Sequence, residues 1–318
     1  MNNRILVTGA TGFVGQALIP ALKTAFPTAT VFAVGSGNAS SQPDTLGCDL
    51  SDRDAVRQLI MDCKPDCVIN LAAISHIPTA FANPELTWQI NLHGVLHLLD
   101  ALVELDSPCT FLQAGSGDCY GGAFRSGEAV TEHTAFEPLN PYSASKAAAD
   151  MACCMYSNKP NLTVIRTRPF NHTGAGQTNR FVLPAFAEQV ARIEAGLQPP
   201  VIEVGNLDAH RCFLHVNDVV DAYIQLLKEA GNIRSGSAFN IVADQTHSIA
   251  AVLEQLLLQS DREIEVKTDP ARCRPTDIPM AQGCANALKT QTDWQATTDL
   301  PHIIRDVLEY WRTQYPQD

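Results

Sequence analysis

Arg4-Ile-Leu-Val-Thr8 is an apolar, β-branched run that leads directly into Gly9-Ala-Thr-Gly12-Phe-Val-Gly15, where a helical pattern begins and continues to Ala25. No other feature limits the fold so tightly. Three glycines between a strand and a helix permit a tight turn and a close backbone approach, while the helix start offers free N–H groups and a positive dipole to a pyrophosphate. The spacing is GxxGxxG, one residue wider in its first gap than the commoner fingerprint. Gly9, Thr11, Gly12, Phe13, Val14 and Gly15 are therefore the expected phosphate-binding residues of a dinucleotide site.

The chain that follows keeps to βαβ order. Strands are predicted at Arg4–Val7, Thr30–Val34, Leu46–Asp49, Asp66–Leu71, Cys109–Gln113 and Leu162–Arg166. Helices are predicted at Gly12–Ala25, Ser51–Cys63 with Ser51 as N-cap, Pro84–Leu105 and Pro141–Tyr156. Alternation of this kind implies an α/β fold of Rossmann type, a doubly wound parallel sheet. Beyond Phe170 the pattern changes to Gly- and Pro-containing loops, a helix at Phe181–Glu194, a strand at Val201–Val204, a helix at Asn217–Glu229 and a strand at Ala238–Val242. Ile249, Val252, Leu253, Leu256 and Leu257 share one helical face, as do Ile303, Ile304, Val307, Leu308 and Trp311. Residues 1–170 are expected to form the dinucleotide domain, with segments around 212–245 returning to it, and 171–318 a smaller α/β substrate lobe.

Composition narrows the function classes. Lys plus Arg number 22 against 34 Asp plus Glu, a net charge of -12 with no basic stripe, which excludes a nucleic-acid footprint. No apolar run reaches the roughly 18 residues of a membrane span. The first residues enter a strand at once and leave no room for a secretory leader, so cytoplasmic residence is expected. Ten cysteines are then free thiols, and their spacings match no zinc site. His93 and His97 stand one turn apart without an apparent third ligand, so no metal is expected.

At the end of the second strand the chain reads Gly35-Ser36-Gly37-Asn38, with neither the acid that accepts from an NAD ribose nor the Arg that suits a 2′-phosphate. Without the acid one repulsion against the 2′-phosphate is gone, which favours NADPH while admitting NADH. Asp49 ends the third strand, where its carboxylate either accepts from an adenine amino group or caps the following helix. Tyr142-Ser-Ala-Ser-Lys146 places a phenol and an ammonium on one helical face. A lysine cation there stabilises tyrosinate and is expected to lower the phenol pKa from near 10 toward the working range of a general acid or base. Ser116, just after the fifth strand, is placed to polarise the same substrate oxygen.

Taken together, GATGFVG, Cys48-Asp49-Leu50, Asn70-Leu-Ala-Ala73, Ser116 with Tyr120-Gly121, Tyr142 with Lys146, and Arg168-Pro-Phe-Asn171 resemble, in that order, the extended short-chain dehydrogenase/reductase family. The resemblance implies a nicotinamide cofactor, NADPH or NADH, held also by Leu50, Leu71, Ala72 and Ala73. It implies Ser116, Tyr142 and Lys146 as the catalytic set and a nucleotide-sugar on the C-terminal lobe. Helices 84–105 and 141–156 are those the family pairs into a homodimer.

The C-terminal half is similar to the GDP-mannose branch, especially the reductases of GDP-4-keto-6-deoxy-D-mannose. The strings are Arg168-Pro-Phe-Asn-His-Thr-Gly-Ala-Gly-Gln177, Phe181-Val-Leu-Pro184, Val204-Gly-Asn-Leu-Asp-Ala209 and Asp269-Pro-Ala-Arg-Cys-Arg-Pro-Thr-Asp-Ile-Pro279. Arg180, Arg211 and Arg274 suit bidentate contact with a diphosphate. Asn171 suits a sugar or phosphate oxygen, backbone groups around Val204–Asn206 the base, and His76 the place where cofactor and sugar meet.

Asp118 stands where the 4,6-dehydratases of the family carry a glutamate base. It is about 1.5 Å shorter in reach, so a reductase giving GDP-D-rhamnose is the favoured reading. A GDP-mannose 4,6-dehydratase, a nucleotide-sugar 4-epimerase and a reductase giving the C4 epimer GDP-6-deoxy-D-talose are the alternatives. A non-catalytic dinucleotide sensor would be expected to have lost Tyr142 or Lys146.

Overall fold

The computed structural model describes residues 3–37, 44–272 and 278–316. Its first half runs β1 (Arg4–Thr8), α1 (Phe13–Ala25), β2 (Thr30–Gly35), β3 (Thr45–Gly47), α2 (Arg53–Cys63), β4 (Cys67–Asn70), α3 (Ile77–Ala82), α4 (Pro84–Trp88), a π-helical turn Gln89–His93, α5 (Gly94–Leu105), β5 (Cys109–Ala114), a 3-10 segment Gly117–Ser126, α6 (Pro141–Tyr156) and β6 (Leu162–Pro169). Then come β7 (His172–Thr173), α7 (Val182–Glu194), β8 (Val201–Val204), β9 (His210–Arg211), β10 (Leu214–His215), α8 (Val216–Lys228), β11 (Ser237–Ile241), β12 (His247–Ser248), α9 (Ile249–Leu257), β13 (Glu265–Thr268), β14 (Met280–Ala281), α10 (Asn286–Thr292) and α11 (Leu300–Gln314).

The main sheet has the order β11-β6-β5-β4-β1-β2-β3, and every neighbouring pair is parallel. Parallel sheets are covered on both faces, which is why β4 (Cys-Val-Ile-Asn) is buried at every position. Strand order reverses between β1 and β4, so the crevice beyond their carboxyl ends is where a ligand sits. The edge strand β11 comes from the second half of the chain, and α8 packs against α1, closing one face of the sheet. A separate core of α7, α9 and α11 forms around Ile202 and Val204 of β8.

Two local expectations are corrected, and one element is new. Asp52, not Ser51, caps α2, because its carboxylate reaches the N–H groups of Asp54 and Ala55 while Ser51 turns back to Asp49. The stretch 84–105 is not one regular helix: α4 and α5 are joined by the π turn, on which Asn91 is fully buried. The segment after β4 carries a short helix, α3, which Pro78 starts near its first turn and which is too brief to show a period.

Candidate active site

Gly9 follows β1 with φ +67°, and a Cβ there would lie 2.8 Å from the Ala72 nitrogen, so the turn after β1 packs on the turn after β4. At Gly15 a Cβ would come within 2.4 Å of the Gly9 carbonyl oxygen, which only glycine avoids. The Gly12 amide donates to that carbonyl at 3.0 Å and closes the loop. Gly12 begins α1 with no side-chain cap and no acid in the first turn, a start suited to an anion.

A cleft of about 1130 Å³ runs from this turn into the second lobe. Its cofactor half is lined by Gly9, Thr11, Gly12, Phe13, Val14, Gly15, Asp49, Leu50, Leu71, Ala72 and Ala73, each expected there. Asp49 also takes two hydrogen bonds from Ser51, to N at 2.9 Å and Oγ at 2.8 Å. Gly35 and Ser36 line the same half at the end of β2, while Asn38 lies outside the described residues.

Ser116, Asp118, Tyr142 and Lys146 meet at the middle of the cleft. Pro141 and a capping box between Asn140 and Ser143 fix the start of α6, which holds Tyr142 in its first turn. Ser116 caps the 3-10 segment by accepting from the Asp118 N–H at 3.1 Å, and it hydrogen-bonds Tyr142. Lys146 is buried and donates from Nζ to the Ala114 carbonyl at 2.7 Å.

The electrostatics reverse one expectation. Burial pushes the Tyr142 phenol well above its ordinary value, the Asp118 charge pushes it further, and the bond to Ser116 only partly opposes them. Burial lowers Lys146 to about 8. The phenol is thus held protonated, and one of the lysine's three donors is taken by a backbone carbonyl.

In the second half of the cleft lie His76, Asn171, Arg180, Asn206 and Arg211. His76 Nδ1 sits 2.9 Å from Thr79 Oγ1 and the ring meets Phe181 edge-on. Arg211 is anchored to the carbonyls of His210 and Ile278, at 2.8 and 2.7 Å. Of the stretch Val204–Asn206, expected to offer its backbone to a base, Gly205 and Asn206 line the cleft with Glu203, while the Val204 side chain is buried in the lobe core and its carbonyl accepts from the Asp269 N–H. Arg274 lies outside the described residues; Arg272 lines the cleft close by.

Two residues escaped the sequence reading. Asn91 accepts from the Ile74 N–H (2.8 Å) and donates to the Ile74 carbonyl and Ser145 Oγ (both 3.0 Å), tying the loop after β4 to α6. His172 stacks on Phe13 across the cleft, 6.3 Å between centroids, with Nδ1 2.9 Å from the Phe170 carbonyl; burial lowers its pKa. No sequence signal marks Asn91, because its partners are 17 and 54 residues away.

A model of the GDP-mannose 4,6 dehydratase family matches residues 6–307. The chain belongs to that family. It is an extended short-chain dehydrogenase/reductase, as its glycine turn, sheet order and Ser116/Tyr142/Lys146 arrangement require. GDP-6-deoxy-D-mannose reductase of Pseudomonas aeruginosa is 35% identical over 318 residues, 100% of both chains. The structure of RMD from the same organism, complexed with NADPH, superposes with a TM-score of 0.87 at 33% identity, covering 98% of this chain and 99% of that one. GDP-6-deoxy-D-talose 4-dehydrogenase of Aggregatibacter actinomycetemcomitans is 28% identical over 281 residues, 88% of each chain.

Proposed function

We propose that this family member reduces the C4 ketone of GDP-4-keto-6-deoxy-D-mannose to give GDP-D-rhamnose. The observation that carries the reading is Tyr142, hydrogen-bonded to Ser116 and lining one cleft with it and Lys146. A reduction needs a proton donor at the ketone oxygen, and a phenol O–H beside a second hydroxyl in the cleft is such a donor. The likeness to the reductase of Pseudomonas aeruginosa over the whole chain supports the same substrate.

The turn of Gly9, Gly12 and Gly15 fits a dinucleotide pyrophosphate, since it opens α1 with no side-chain cap and no acid in the first turn. When bound, the reduced nicotinamide supplies the hydride. Lys146 and the residues Asp49, Leu50, Leu71, Ala72 and Ala73 hold that cofactor, NADPH or NADH; the missing acid at the end of β2 favours NADPH. Ser116 polarises the ketone and stabilises the developing alkoxide, and Tyr142 then donates its proton to that oxygen. Asn171, Arg180, Arg211 and His76 face the nucleotide-sugar. Residues 1–170 act as the cofactor domain, with 212–245 returning to its sheet, and 171–318 supply the substrate lobe.

Met151 and Met155 of α6 are 66% and 61% exposed, an outward apolar stripe that supports a homodimer formed through helices 84–105 and 141–156. Every described cysteine is a free thiol, which suits the cytoplasm.

The test supplies GDP-4-keto-6-deoxymannose with NADPH or NADH, follows nicotinamide absorbance, and identifies the sugar by NMR. GDP-D-rhamnose supports the reading. Failure to oxidise either cofactor overturns it, and GDP-6-deoxy-D-talose would correct its stereochemistry.

A further inference from the structure

A cleft built for two phosphorylated nucleotides is a costly place for a carboxylate unless the ligand offers it N–H or O–H donors. Among the described residues three carboxylates line it: Asp49, Asp118 and Glu203. Asp49 belongs to the cofactor half and Asp118 to the reaction centre. Glu203 stands on β8 in the substrate lobe, 54% exposed at its side chain, and neither role reaches it.

The backbone around Glu203 is already consumed. Gln189 of α7 accepts from the Glu203 N–H at 2.8 Å and donates to its carbonyl at 3.1 Å. On the other edge β8 is in register with β13 from Val201 to Val204, and the Val204 carbonyl takes the Asp269 N–H at 2.8 Å. A Cβ on Gly205 would come within 2.6 Å of the Arg272 carbonyl oxygen, so the two strands' ends are pressed together. The main chain of Glu203 and Val204 therefore has little left with which to read a base, and what this stretch of β8 offers the cleft is a side chain. The group presented is the Glu203 carboxylate with Arg272 Nη2 beside it, 3.4 Å from Oε2.

We propose that Glu203, flanked by Arg272, is the specificity residue that selects a guanine base on the substrate. The proposal rests on the nucleotide-sugar reading above and names the atoms that choose among nucleotides. A guanine edge carries two adjacent donors, N1–H and the N2 amino group, followed by the O6 acceptor. A carboxylate accepts both donors, and the neighbouring guanidinium is placed to donate to O6. Uracil and thymine offer one N–H between two carbonyl oxygens, and adenine sets an unprotonated ring nitrogen beside its amino group. Each would turn a lone pair toward Glu203 and leave a polar group unpaired, the arrangement by which sites reject a wrong ligand.

Calorimetric titration of the NADPH-loaded protein with GDP, IDP and UDP tests this. IDP differs from GDP only in lacking the N2 amino group. The wild type should bind GDP about tenfold or more tightly than IDP. Glu203→Gln should weaken GDP by a similar factor and bring the GDP/IDP ratio close to one, with NADPH affinity and Tm unchanged. Glu203→Asp, which keeps the charge on a shorter arm, should retain part of the preference and guards against misfolding of the first variant. An unchanged GDP/IDP ratio in folded Glu203→Gln overturns the inference while leaving the reductase reading intact. A wild type that binds UDP as well as GDP likewise overturns the inference, and one that binds neither nucleotide overturns the nucleotide-sugar reading itself.

Discussion

Lys146 Nζ donates a 2.7 Å hydrogen bond to the Ala114 carbonyl, joining the second turn of α6 to the last residue of β5. The ammonium is thereby held in a buried place where its charge is only marginally stable, with a pKa of about 8 in place of 10.5.

Activity should follow that value. kcat/KM for the reduced dinucleotide reports groups of the free enzyme, so it should fall as pH rises through about 8, when Lys146 loses its proton. Tyr142 is raised, not lowered, and stays protonated across this range. A pH profile flat to pH 10 would contradict the assignment, and Lys146→Arg should remove the limb in whatever activity it retains.

Stability carries the opposite sign. Between the folded value of about 8 and the unfolded 10.5 the unfolded chain binds more protons, so the contribution of Lys146 to folding is least favourable below pH 8 and improves toward pH 10.5. Urea denaturation of Lys146→Met and wild type should therefore show the variant's relative advantage shrinking as pH climbs through that window.

Removing the proton donor should separate chemistry from binding. Tyr142→Phe is expected to lower kcat by about 10²–10⁴ with NADPH affinity unchanged, and Ser116→Ala by about 10²–10³. Stopped-flow single turnovers together with fluorescence titration of NADPH distinguish the two effects.

Gly15→Ala should abolish cofactor binding, because the new Cβ meets backbone atoms of Gly9 and Ala10 at 2.4 and 2.6 Å that cannot move without opening the turn. Gly12→Ala meets the Gly9 oxygen at 3.2 Å and should be milder. NADPH titration of both variants ranks them.

Asn91→Leu leaves the Ile74 backbone without its partner inside the fold and is expected to cost about 1–3 kcal/mol. Thermal unfolding measures it, and a rise in KM for the sugar should accompany it if His76, two residues after Ile74 in the cleft lining, faces the sugar as proposed.

What could be read from the sequence were the features written in near neighbours. The glycine turn lies within seven residues, Tyr142 and Lys146 within one turn of helix, and the buried strands announce themselves as apolar runs; local geometry is enough to specify each. Folding alone decided what depends on residues far apart in the chain. It set the cap of α2, the buried clamp of Asn91, the burial that reverses the expected shift of Tyr142, and the loss of Val204's backbone to β13. A pKa or a hydrogen-bonding vacancy belongs to a place in three dimensions, where desolvation and distant charges add up, and no spacing along a chain records them.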